Sequence, residues 1–237
     1  YCRDVSEWVL PYFGGSLTSE TVSISIQGFH TLQGNSLKVP GDPSSAAFWL
    51  TAACLIPQGE ITLTHVLLNP TRLGFVEVLK RMGARIEMQY DTYTPESVGT
   101  LWAASSSLQS TEIIPEEIPL LIDEIPLLAI LATQAKGTTE IRHAEELRVK
   151  ESDRIEAIAY NLRQMGCEIE VFPDGFKIQG PQPLNGAFIQ SFEDHRIAMA
   201  FTIAALIAQG TSNISESECV NISYPDFFTT LQQLTNA

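Results

Sequence analysis

The chain has 237 residues, 44% hydrophobic and 18% charged, enough for a sizeable core in one large domain or in one domain plus a fragment. Its net charge of −14 argues against nucleic acid as a partner, because phosphate backbones demand basic faces. The longest apolar runs, 46–56 and 197–208, are too short to span a bilayer and read as buried helices, so no membrane partner is expected.

In chain order, 6–14 (SEWVLPYFG) reads as a helix closed by Gly14, with Pro11 counting against a clean helix, and 21–26 (TVSISI) reads as a strand. The stretch 34–45 (GNSLKVPGDPSS) is the most linker-like, which places a domain boundary near residue 40 and divides the chain into 1–40 and 41–237. Three stretches then share one plan: an Asp opens a small-residue apolar helix, a Gly closes it, and a β-rich strand follows. They open at Asp42, Asp123 and Asp194 and close at Gly59, Gly137 and Gly210. Asp is a good N-cap and Gly a good C′ residue, so each copy carries its own start and stop.

A second helix follows in two copies, over 72–82 before Gly83 and over 153–165 before Gly166. In the latter, Ile155, Ile158, Leu162 and Met165 fall at helical spacing, and Asp153 with Glu156 is placed to form a capping box. Alternating strands come next, over 84–88 and 167–171, and another near 176–178 leads to the next Asp. The segment 227–234 reads as one more second helix. The unit is β-α-β-α-β-β, of the α/β class, and a period of about 70–80 residues exceeds those of solenoid repeats.

Cys2, Cys54, Cys167 and Cys219 are scattered, with no CxxC pair and no His at metal-ligand spacing. They read as buried free thiols of a reducing, cytoplasmic compartment, and neither a metal nor a disulfide is expected. His30, His65 and His143 stand alone and read as structural or surface residues.

The chemistry concentrates in one place. Arg142, Arg148, Lys150 and Arg154 are four of only 14 Lys and Arg residues, and Glu151 and Asp153 lie among them at the start of a helix. Asp194-His195-Arg196 repeats the arrangement at the head of another. Helix N-termini favour anions through free N–H groups, and Arg adds a flat fork for carboxylate or phosphate. Lys beside Glu supplies a proton donor and acceptor once burial tunes them. Two readings of these residues stay open: solvated helix starts with surface salt bridges, or a pocket that holds small anions and moves protons.

The segments Cys2-Arg3-Asp4-Val5-Ser6-Glu7, 40–46 (PGDPSSA), Asn69-Pro70-Thr71-Arg72, Asp123-Glu124-Ile125-Pro126, 145–154 (EELRVKESDR) and 194–199 (DHRIAM) together resemble the enolpyruvyl transferases. Within that family the match is to the branch that makes 5-enolpyruvylshikimate 3-phosphate, in its class II bacterial form, and it covers nearly the whole chain. The resemblance implies two domains, each of three β-α-β-α-β-β units around a pseudo-threefold axis, as an inside-out α/β barrel. The chain is then the C-terminal part, with 1–40 the tail of the first domain and 41–237 the second.

The implied reaction adds the 5-hydroxyl of shikimate 3-phosphate to phosphoenolpyruvate and then eliminates phosphate, with no metal or organic cofactor. By motif, Asp123 accepts the hydroxyl proton and Glu151 exchanges a proton with the methylene carbon. Lys150 contacts shikimate 3-phosphate and assists proton transfer. Arg154 and Arg196 clamp phosphoenolpyruvate, and Arg3 touches the shikimate phosphate. Asp194 and His195 support them. Glyphosate is the implied inhibitor, the N-terminal half a required partner, and a monomer the implied whole enzyme.

One departure stands out: Ile222 occupies the place, two before Tyr224-Pro225-Asp226, where many members have Lys. A sister enzyme acting on a UDP-amino sugar and a non-catalytic anion-binding module are the competing readings.

Overall fold

The computed structural model describes residues 3–20, 23–29, 31–93 and 95–235. Cys2, His30 and the first two residues of the strand expected over 21–26 lie outside the described residues.

Helix α1 (Val5–Tyr12) is followed by a hairpin of β1 (Leu17–Glu20) and β2 (Ser23–Ile26), paired antiparallel. Pro11 is accommodated in the last turn of α1, and its carbonyl accepts the N–H of Gly14. No residue of α1 is buried, and Trp8, Ile24 and Ile26 are more than half exposed.

The rest is built of three units. The first holds α2 (Pro43–Leu55), β3 (Glu60–Leu67), α3 (Gly74–Arg81), β4 (Arg85–Thr92) and β5 (Val98–Ala104). The second holds α4 (Ile118–Leu121), α5 (Ile125–Gln134), β6 (Gly137–Ile141), α6 (Arg154–Gln164), β7 (Glu170–Phe172) and β8 (Gly175–Gly180). The third holds β9 (Phe188–Ile189), α7 (His195–Ile207), β10 (Asn213–Ile214) and α8 (Phe227–Thr235).

The first two units form three-stranded sheets, β3-β5-β4 and β6-β8-β7, with antiparallel neighbours throughout. The leading strand of the unit is complete only in the third, where β9 runs parallel to β10. In the first two it shrinks to single parallel bridges, Gly41 to Val66 and Gln109 to Lys136. The β-α-β-α-β-β plan therefore holds with a vestigial first strand. The central strand β5 was not anticipated: it is buried on both faces and shows none of the alternation seen in β3 and β4.

Helices α2, α5 and α7 touch one another and are buried along nearly their whole length. Ala46, Ala47 and Ala53, Ala129 and Ala132, and Ala198, Ala200 and Ala204 let the three backbones approach closely in a shared core.

Asp42, Asp153 and Asp194 cap their helices as expected, accepting N–H groups from Ser45, Glu156, and Arg196 with Ile197. The reciprocal half of the 153/156 capping box is missing, because Glu156 turns to Arg148 instead. Asp123 corrects the repeat: it lies in a 3-10 turn, Ile122–Glu124, and the N-cap of α5 is Glu124, whose side chain makes no cap bond.

The glycines also divide. Gly14, Gly83 and Gly166 are true C′ residues at φ +82, +90 and +85. Each donates to the carbonyl three residues back, and the next N–H reaches five back, as in Gly166 to Arg163 (3.0 Å) and Cys167 to Leu162 (2.8 Å). Gly59, Gly137 and Gly210 do not close their helices. These end earlier, at the extended residues Ile56, Ala135 and Ala208, so the glycines serve the turn into the strand.

Cys54, Cys167 and Cys219 are buried and free, and burial pushes the Cys54 and Cys167 thiols up to about 11. Among the described residues, no helix is long and apolar enough to cross a membrane. Nor is any group of three or more His, Cys, Asp and Glu placed to hold a metal ion.

Candidate active site

The heads of α2, α5 and α7 converge. Ser44 near the start of α2 lies against Glu124 at the start of α5, and Arg196 in the first turn of α7 faces both Asp123 and Glu124. The head of α6 joins them through Arg154. Four helix N-termini are thus gathered in one region, three of them capped by aspartates, and their dipoles favour negative charge there.

Arg154 is its centre. Although a full cation, it is 1% exposed. Its Nε donates to Asp194 Oδ2 at 2.8 Å, one Nη to Glu151 Oε2 at 2.6 Å, and the other to Asp123 Oδ1 at 3.4 Å. Such burial is tolerable only because the guanidinium fork meets three carboxylates with hydrogen-bond geometry. Asp194, wholly buried, also accepts the Ser152 hydroxyl at 3.0 Å and the Arg196 N–H at 2.9 Å. Burial pushes its pKa up most strongly, but Arg154, the Arg196 N–H and the Ser152 hydroxyl together hold the carboxyl below the usual carboxylate range.

Asp123 stands among three cations: Arg3 Nη2 at 2.7 Å, Arg154 Nη1 at 3.4 Å and Arg196 Nη2 at 3.9 Å. Burial pushes its pKa up, but Arg196, Arg3 and Arg154 together hold it below the ordinary value. Its placement is that of a charged group within a cluster of cations and not of a helix cap. His195 is mostly buried beside this cluster, and burial, then Arg196, depresses its pKa.

The structure therefore brings together Arg3, Asp123, Glu151, Arg154, Asp194 and Arg196. It does not bring Lys150 in: that ammonium pairs with Glu146 one turn back on its own segment. Arg148, part of the cation cluster in sequence, is turned to a structural task. It donates to the carbonyls of Pro173 (2.6 Å) and Phe172 (2.8 Å) and to Asp153 (2.8 Å), tying the 3-10 turn Glu145–Val149 to the β7–β8 hairpin. Arg142 likewise pairs with Asp174 and Glu140 at the surface.

Two residues went unremarked in the sequence. Glu124 is a buried carboxylate, and the signal was present: a charge set directly before the apolar run 125–132 has little choice but to enter the core with it. Asp4 ties the N-terminal segment to the Asn69–Arg72 turn, accepting Asn69 Nδ2 at 2.7 Å and the Thr71 hydroxyl at 3.0 Å.

This fold is that of the enolpyruvyl transferases. A solved EPSP synthase from Acinetobacter baumannii superposes with a TM-score of 0.94 at 36% identity, over 99% of this chain and 55% of the other. The enolpyruvyl transferase NikO from Streptomyces tendae shares the fold at a TM-score of 0.72 and 19% identity, over 96% of this chain and 51% of that one. The sequence pattern of the family described as EPSP synthase (3-phosphoshikimate 1-carboxyvinyltransferase) matches residues 2–231, and the chain belongs to that family. Curated relatives named 3-phosphoshikimate 1-carboxyvinyltransferase include one from Thermosynechococcus vestitus. It is 49% identical over 98% of this chain and 53% of its own length. Another, from Bacillus licheniformis, is 48% identical over 98% of this chain and 55% of its own. The chain thus spans about half the length of the curated relatives it matches.

Proposed function

We propose that this chain is the C-terminal half of a 3-phosphoshikimate 1-carboxyvinyltransferase, with residues 1–40 the tail of a first domain and 41–237 the second. The observation that carries the reading is Asp123, a carboxylate set among Arg3, Arg154 and Arg196. An acidic protein that gathers scarce cations around one carboxylate is built to bring anionic reactants to a base.

Shikimate 3-phosphate and phosphoenolpyruvate are the anions. Arg196 holds phosphoenolpyruvate, Arg154 joins it once Glu151 moves off its guanidinium, and Arg3 meets the shikimate phosphate. Asp123 takes the proton of the 5-hydroxyl as its oxygen bonds to C2 of phosphoenolpyruvate, while the methylene carbon gains a proton. Loss of a proton from that carbon then expels phosphate and leaves the enolpyruvyl ether. Glu151, half exposed on Arg154, exchanges the proton at the methylene carbon, and Lys150 assists after leaving Glu146.

The depressed pKa of Asp123 fits this cycle. Three arginines keep it ionised when the site is empty. Anions bound to those arginines offset their field, so the carboxylate becomes a stronger base when substrate arrives. On the same reading glyphosate competes with phosphoenolpyruvate, and the assembled enzyme is a cytoplasmic monomer.

The test is phosphate release from phosphoenolpyruvate plus shikimate 3-phosphate, by this chain alone and after mixing with the N-terminal half of a relative. Activity only in the mixture supports the reading, and replacing the acceptor with a UDP-amino sugar should abolish it. Activity in the isolated chain contradicts the half-site. Silence in both from a folded chain leaves an anion-binding module.

A further inference from the structure

Glu124 has no role in the scheme above, yet its place demands one. It is 6% exposed, and although it occupies the N-cap of α5 its side chain caps nothing. A carboxyl taken from water and given no cap bond and only a long ion pair has to be compensated by its neighbours. Two face it. One is the Ser44 hydroxyl, which accepts from Arg72 Nη2 at 3.2 Å and so has its single proton left to give the carboxylate. The other is Arg196, whose Nη1 lies 3.9 Å from Glu124 Oε1.

Arg196 is itself unlike its neighbour. Arg154 is locked by contacts of 2.8 and 2.6 Å. Among the described residues, no protein group hydrogen-bonds the Arg196 guanidinium directly. Its two terminal nitrogens are instead bracketed at 3.9 Å each, one by Asp123 and one by Glu124. Two carboxylates at that range orient a planar cation without using up its donors, so the fork stays available to a ligand.

We propose that Glu124 is a positioning residue: anchored through Ser44 and Arg72, it fixes the plane of the Arg196 guanidinium so that its donors meet the carboxylate or phosphate of phosphoenolpyruvate. This rests on the reading of Arg196 as a ligand for that anion. The chain of contacts also gives Arg72 and Ser44, in the first unit, a structural reason to be polar at a buried helix head.

The test is NMR of the full chain labelled with [15N]arginine, following the Nε–H signals of Arg196 and Arg154 during titration with phosphoenolpyruvate. Glu124→Ala should weaken the affinity about tenfold, the scale of one charge-assisted contact, with the melting temperature and the free-state Arg154 signal unchanged. Glu124→Gln keeps the shape and an acceptor for Ser44, so its loss should be smaller, about threefold, and it carries the test if the alanine variant does not fold. Unchanged affinity in both variants overturns the proposal. So does a loss accompanied by movement of the free-state Arg154 signal, which would mark a general structural role. The Arg196→Ala variant separates the two readings. If it too binds normally, or if neither signal moves in the unmodified chain even with the N-terminal half of a relative present, the reading of the site has failed. If it binds poorly while Glu124→Ala binds normally, only the role of Glu124 has.

Discussion

The first and second units build the same corner and use it differently. In each, an acid stands before the first helix and an arginine about one sheet strand later stands before the second: Asp42 with Arg72, 30 residues apart, and Asp123 with Arg154, 31 apart. In the first unit the pair closes on itself. Asp42 takes Arg72 at 2.5 Å and caps α2 through the Ser45 N–H, so both charges are satisfied locally. In the second unit the pair stretches to 3.4 Å, and each partner is shared. Arg154 turns to Asp194 and Glu151, and Asp123 to Arg3 and Arg196. A repeat thus provides a place for opposite charges, and the neighbours decide whether they form a structural rivet or a shared charge cluster.

The largest effects should come from breaking the second corner. Arg154→Ala strands Asp194 without its partner in the core, and urea unfolding should show a loss of about 3–5 kcal/mol. Arg196→Ala removes a more exposed cation with no direct hydrogen bond, so stability should change by less than about 1 kcal/mol. Its cost should appear in binding instead, as about 1.5–3 kcal/mol of phosphoenolpyruvate affinity by titration. If the two variants unfold alike, the contrast between a buried clamp and an available cation is wrong.

Acid should expose the same contrast. Asp123 and Asp194 have folded pKa values below their unfolded ones, because their arginines outweigh burial. Their contribution is complete above the unfolded value near 4 and is lost as pH falls through the folded values. Urea midpoints should therefore drop steeply below about pH 4, and Asp194→Asn should flatten that drop. An equally steep drop in the variant would place the acid-sensitive groups elsewhere.

What the sequence made legible follows from where the physics is local. The caps at Asp42, Asp153 and Asp194 depend on neighbours two or three residues away, and each formed, although Asp153 lacks the reciprocal half of its capping box. Gly14, Gly83 and Gly166 are equally local, since a left-handed residue is needed at that spot. Strand β5 was missed because a strand covered on both faces carries no period of two. Within the site, Arg154 and Asp194 stand 40 residues apart in sequence, and only the motif hinted that they meet. Lys150 and Arg148 show the limit of charge counting. Clustering along the chain placed them with Arg154, but a turn of 3-10 helix points them to Glu146 and to the hairpin carbonyls.

The first corner offers smaller and sharper tests. Asp42→Ala removes a cap and an ion pair half open to solvent, and should lower stability by about 1 kcal/mol in the same urea assay, far less than Arg154→Ala. A loss approaching that of the second corner would erase the distinction between them.

The smallest expected change, and the one of opposite sign, lies at Glu124, where the two corners touch. Burial raises its pKa, and the Ser44 hydroxyl and Arg196 offset this only in part. A carboxyl with a folded pKa above its unfolded one favours folding below the unfolded value. It loses that contribution as pH rises through the folded one. Near pH 7 burial therefore weighs against the charged form, and Glu124→Gln should melt no lower than the unmodified chain. The gap should close on acidification toward pH 4, where both side chains are neutral. A variant that melts lower at neutral pH would show that the charge of Glu124 supports the fold, and its presence at the helix head would then need no functional reason.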